Sequence, residues 1–158
     1  MSDSATPTTA SPGPAQPLPP PCALSPVEIL AYLLNDHGRV RRILGDAAEM
    51  PEPTLGAGNA NAIWRLLATA RISVPLNPMP AQLAALLQLT GWQLVSRAEL
   101  PRAGDIAVCG EDERVLGLTL VAKGPAGPRD RFKVVDNFGP RLCSDLSDVL
   151  YWLRLDGT

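Results

Sequence analysis

Apolar side chains recur every three or four residues between residues 26 and 90 and then change to short extended runs. The first pattern is that of helices buried along one stripe; the second is that of strands. Ser25-Pro26-Val27-Glu28 supplies an N-cap, a proline at the first helical position and the glutamate of a capping box. It predicts a helix from Pro26 to Asn35 with Val27, Leu30, Ala31 and Leu34 inward. Asp36-His37-Gly38 interrupts it, a short second piece carries Val40, Ile43 and Leu44, and Gly45 is expected to end that piece. Residues 50–58 read as a loop from their Pro and Gly content. Asn59 is a suitable cap for a helix from Ala60 to Arg71, buried through Ile63, Leu66, Leu67 and Ala70. Pro80 opens another helix, with Leu83, Leu86 and Leu87 inward, and Gly91 stops it.

Five strands are predicted after that: Trp92–Val95, Asp105–Cys109, Val115–Ala122, Phe132–Asp136 and Leu150–Leu155, separated by Gly, Pro and charged clusters. Helices first and strands later indicate an α+β domain, N-terminal helices packed on a C-terminal antiparallel sheet. Trp92 and Trp152 read as core or sheet-face residues, and no internal repeat is found.

Composition changes this picture at the N-terminus. The first 24 residues contain seven prolines and no Lys or Arg, which predicts a disordered tether of polyproline character over 1–24 and a single domain over 25–158. Pro17-Leu18-Pro19-Pro20-Pro21 has the form of a groove ligand for a proline-reading module, although its ordinary reading is linker. With 14 basic against 16 acidic side chains and net charge −2, the chain lacks the positive field that nucleic acid requires. No apolar run reaches the roughly 18–20 residues of a membrane span. A basic n-region followed by an apolar core is absent, so the expected address is cytoplasmic by default, with non-standard export left open. Cys22, Cys109 and Cys143 are expected to be reduced thiols.

Candidate chemistry narrows quickly. One His and three scattered Cys cannot supply a standard zinc set, and no phosphate loop is present, so no metal and no cofactor are expected. His37 stands where a helix ends, and its ordinary role there is C-terminal capping. Arg39, Arg41 and Arg42, and likewise Glu111-Asp112-Glu113-Arg114, read as solvated faces. The loop from Lys123 to Arg131, with Arg129 between, is a candidate contact for an acidic partner.

Three segments stand out together: Asn59-Ala60-Asn61-Ala62-Ile63-Trp64 opening a helix, Pro101-Arg102-Ala103-Gly104-Asp105 entering a strand, and Val115-Leu116-Gly117-Leu118 beginning the next. They resemble the core of the NlpC/P60 and CHAP cysteine peptidases and amidases, which have a papain-like fold, over about 95 residues. The resemblance implies a nucleophilic Cys at the start of that helix and a catalytic His at the start of the strand. Laid residue by residue on the pattern, those positions are Ala60 and Val115. A methyl and an isopropyl group can neither form a thiolate nor accept its proton. The third polar position of the family falls at Asp136 and Asn137.

The expected function is therefore noncatalytic binding. Asn59, Asn61, Trp64, Asp136 and Asn137 are the candidate ligand-binding residues around the former active-site groove, and a peptide, glycan or protein is the partner class implied. Each also has an ordinary structural role: Asn59 as a cap, Trp64 as core, Asp136-Asn137-Phe138-Gly139 as a turn. Two alternatives stay open: an active cysteine hydrolase with a relocated nucleophile, Cys109 or Cys143 with His37, and an unrelated small structural or regulatory α+β protein. Oligomeric state is left open.

Overall fold

The capping box at Ser25 forms: Glu28 N donates to Ser25 Oγ at 3.2 Å and Ser25 N to Glu28 Oε1 at 3.1 Å. The structure, a computed structural model, describes residues 24–48, 57–128, 130–143 and 145–156. The tether expected over 1–24 lies outside them apart from Leu24, as do Cys22, Arg129 and most of the expected loop at 50–58.

Helix α1 (Pro26–Leu34) ends at Asn35, whose carboxamide donates to Ala31 O and to Ala122 O, each at 2.8 Å. Asn35 thus closes the helix and ties it to the sheet, the role expected of His37. His37 is instead the first residue of α2 (His37–Ala48), capped by Asp36 Oδ1, which accepts from Arg39 N at 3.2 Å. Gly45 does not end α2. It lies on an exposed face with open space beside it, where a glycine costs a helix only about 1 kcal/mol relative to alanine. Helix α3 (Ala57–Thr69) begins ahead of Asn59, so that Asn59 is its third residue and not its cap. Helix α4 (Pro80–Leu89) carries proline in its first turn, and Gly91, at φ 106°, reverses the chain.

Six strands follow: β1 (Trp92–Ser96), β2 (Ile106–Glu111), β3 (Arg114–Lys123), β4 (Phe132–Asp136), β5 (Gly139–Cys143) and β6 (Val149–Leu155). They form one antiparallel sheet in the order β1-β6-β2-β3-β4-β5. The α+β architecture read from the sequence is the one observed. Strand β5 was not foreseen, because Gly139-Pro140-Arg141-Leu142-Cys143 lacks an aliphatic alternation. Proline is tolerated there because β5 is an edge.

One face of the sheet, through Val108, Leu118, Leu120, Ala122, Val135 and Leu153, packs on the helices. The other carries Ala107, Val121, Phe132, Val134, Val149 and Trp152, with no helix over it among the described residues. That second face is a trough. In the sheet order β5 and β6 are four strand spacings apart, about 19 Å in a flat sheet. Residues 144–148, which join them, would span about 20 Å only when fully extended. Residues 145–148 are not extended: Ser147 N donates to Asp145 Oδ1 at 2.9 Å and Val149 N to Leu146 O at 3.1 Å. The sheet must curl to bring its ends together, and Phe132 on β4 meets Trp152 on β6 edge-on, ring centroids 6.3 Å apart.

The entry to β2 is fixed by buried Asp105. It accepts from Arg102 N (2.8 Å) and, bidentately, from Arg154 Nε (3.0 Å) and Nη2 (2.8 Å). Gly104 precedes it at φ 93°, pressed against Val27. This Gly-Asp pair, the best-matching element of the resemblance, has a purely structural explanation.

Candidate functional site: a cleft on the curled face of the sheet

The curled sheet encloses a cleft of about 810 Å³. Its floor is made by Gly117 and Thr119 on β3 with Phe132, Val134 and Asp136 on β4. One wall is Arg141 and Cys143 on β5 with the β5–β6 connection, and the other is Ala107, Cys109 and Trp152. Asn59 closes the end nearest α3.

Asn59 is held there by the sheet. Pairing of β3 with β4 begins at Leu120–Val135, and β4 ends at Asp136, so the backbone of Leu118 has no strand beside it on that side. The Asn59 carboxamide takes the vacant ladder position: Leu118 N donates to Oδ1 at 2.8 Å, and Nδ2 donates to Leu118 O at 2.9 Å. Nδ2 also donates to Asn137 Oδ1 at 2.8 Å. Gly117 lies alongside, but a Cβ there would stand 3.6 Å from Asn59 Oδ1, an ordinary van der Waals contact, so the approach does not depend on glycine.

Asp136 organises the neighbouring stretch. Its side chain is 4% exposed and accepts from Arg141 Nη2 at 2.6 Å, from Thr119 Oγ1 at 3.2 Å and from Phe138 N at 2.9 Å. Burial pulls the Arg141 guanidinium down, but the hydrogen bond and charge of Asp136 outweigh it and hold the group above its ordinary value. Cys109 is pushed up from 9.0 to about 12, first by burial and then by the charge of Asp148, so it stays a thiol. Cys143 Sγ donates to Asp145 O at 3.3 Å.

Of the five binding candidates, Asn59, Asp136 and Asn137 come together in the cleft. Trp64 does not: its indole donates to Val74 O at 2.8 Å, and it lies beside Ala68, Arg71 and Ile72, away from the cleft. Asn61 is buried outside the cleft lining, and its carboxamide has no hydrogen-bond partner among the described residues. Ala60 is the fourth residue of α3, not its start, and is fully buried in the helix–sheet core; Val115 packs on the edge of the same core. The groups that meet between α3 and β3 are Asn59 and Gly117-Leu118. Thr119, Arg141 and the 84%-exposed Phe138 belong to the cleft but were not singled out from sequence. Thr119 carried a signal, a polar side chain between Leu118 and Leu120; Arg141 carried none, because its strand was not foreseen.

No family model, curated protein or solved structure matches the chain. What it does must be read from the chemistry of the cleft. Among the described residues no group of three His, Cys, Asp or Glu side chains is arranged to hold a metal ion, and no helix is long and apolar enough to cross a membrane.

Proposed function

We propose that the protein is a noncatalytic binding module on an NlpC/P60- or CHAP-like, papain-like scaffold, and that its cleft receives a segment of peptide, glycan or protein partner. The observation that carries this reading is the Asn59 carboxamide bonded to both backbone groups of Leu118. The resemblance would put nucleophile and base where α3 meets β3. A carboxamide engaged in the sheet ladder there can neither attack a carbonyl nor take a proton.

The cleft keeps what recognition needs. Asn137 is exposed and its Oδ1 is engaged by Asn59, leaving its own N–H groups toward solvent. Arg141 is 46% exposed and offers donors beyond the one held by Asp136. Phe138, at the mouth, is an aromatic plate on which a sugar ring or a peptide side chain can lie.

The rival reading as an active cysteine hydrolase draws on Cys109 and Cys143, which both line the cleft. Against it, the thiol of Cys109 is raised to about 12, and His37 opens onto the helix side of the sheet with Arg41 and Lys133.

Titration with soluble muropeptides, which combine sugar and peptide, tests the binding reading when backbone amide resonances are followed. Saturable shifts are expected at Thr119, Asn137 and Phe138, with affinity about five- to tenfold lower for Phe138→Ala. Absence of any saturable shift in the cleft, with these ligands and with a panel of peptides and glycans, contradicts it.

A further inference from the structure

On the opposite side of the sheet, α2 leaves a second hollow of about 240 Å³ against β4 and β5. Alternation along β4, with the pairings Lys133–Leu142 and Val135–Pro140, puts these four side chains on the helix-facing side. Arg141 also borders the hollow, with its Nη2 bonded to Asp136 on the cleft side. From α2, His37 and Arg41 stand over the hollow, one helical turn apart on the same face. A guanidinium, an ammonium and an imidazole therefore border a small apolar basin of Ala122, Val135 and Pro140.

Among the described residues no Asp or Glu lines this hollow, although the chain as a whole carries more acid than base. Arg41 and Lys133 make no ion pair among the described residues. Asp36, the carboxylate next to His37 in sequence, is turned to cap Arg39 N. Like charges bordering one hollow without a compensating carboxylate are mildly destabilising. An anion between them would relieve that repulsion.

We propose that the hollow formed by His37 and Arg41 of α2 with Lys133 of β4 binds the phosphate of a small organic phosphomonoester. Arg41 offers a planar fork to two phosphate oxygens and Lys133 a point charge, a combination suited to a dianion. The organic body rests on Val135, Pro140 and Leu142. At about 240 Å³ the basin is below the range of drug-sized sites, so the ligand is small. The proposal does not rest on the cleft reading: the two hollows share Val134, Arg141 and Leu142 at the β4–β5 edge, but His37, Arg41 and Lys133 line only this one.

The test is calorimetric and NMR titration with phenyl phosphate, inorganic phosphate and phenol. Phenyl phosphate is expected to saturate with amide shifts at His37 to Arg41 and at Lys133. Arg41→Ala and Lys133→Ala, both at exposed positions, each lower its affinity about five- to tenfold, while Arg114→Ala, on the β2–β3 hairpin, leaves it unchanged. Weaker binding of inorganic phosphate supports the ester as ligand; equal binding supports the anion site with free phosphate as its source. No saturation at millimolar concentration, equal loss in Arg114→Ala, or phenol binding as well as phenyl phosphate overturns the proposal.

Discussion

Asn59 supplies a donor and an acceptor at the one stretch of β3 that β4 no longer reaches. Replacing it with alanine removes three hydrogen bonds and leaves the N–H and C=O of Leu118 unpaired. Asn59→Ala is therefore expected to lower stability by about 2–3 kcal/mol, read as a shift of the urea midpoint at unchanged slope. The Cys109 thiol gives a second residue-scale expectation. Its pKa is higher in the folded protein, about 12, than the ordinary 9.0. The folded state thus keeps a proton that the unfolded chain releases first. That contribution is fully present below pH 9.0 and disappears as pH rises toward 12. Urea midpoints measured across this window should fall, and fall less steeply for Cys109→Ala. At this scale the site was partly legible. Asn59, Asp136 and Asn137 could be picked out as polar residues at a helix start and a strand end. Thr119 and Arg141 join them only because Asp136 gathers them across neighbouring strands, a pairing that sequence spacing does not reveal. Trp64 was misplaced because the rotation of α3 turns its indole toward Val74 O.

Among the elements, the β2–β3 hairpin shows a local conflict that the sheet overrides. Asp112 and Glu113 occupy its tip at φ 49° and 65°, in the left-handed region that favours glycine or asparagine. Glu113→Gly is expected to raise stability by about 1 kcal/mol, seen as a higher melting temperature. Gly110, at the bulge of the same hairpin, has the opposite character. A Cβ there would collide with the Arg114 carbonyl, so Gly110→Ala should cost about 2 kcal/mol or more and broaden the amide resonances of the hairpin. Helices α1 and α4 were readable because capping and proline chemistry mark their starts. The extent of α2 was not: Gly45 looked like a stop, but its exposed face makes glycine tolerable there. Strand β5 was hidden because an edge strand needs neither apolar alternation nor freedom from proline.

For the whole molecule, the sheet's curl is the feature from which the cleft follows. It is imposed by the short β5–β6 connection and by Phe132 meeting Trp152 across two intervening strands. The clamp between Asp105 and Arg154 secures the far side of the sheet, where β2 lies beside β6. Arg154→Ala leaves a buried carboxylate without its cation, with an expected loss of about 3 kcal/mol in equilibrium unfolding. Fold class was legible from the order of helical and extended patterns. Strand order was not, because hydrophobic alternation identifies strands without saying which edges meet, and the cleft is a product of that order. On the proposed function, this cleft binds without cleaving. Incubating the protein with the muropeptides used above, while following amine release in the same sample as the cleft resonances, separates binding from cleavage. Saturable shifts at Thr119 and Asn137 are expected with no amine released. Amine release that disappears in Cys109→Ser or Cys143→Ser would contradict that function.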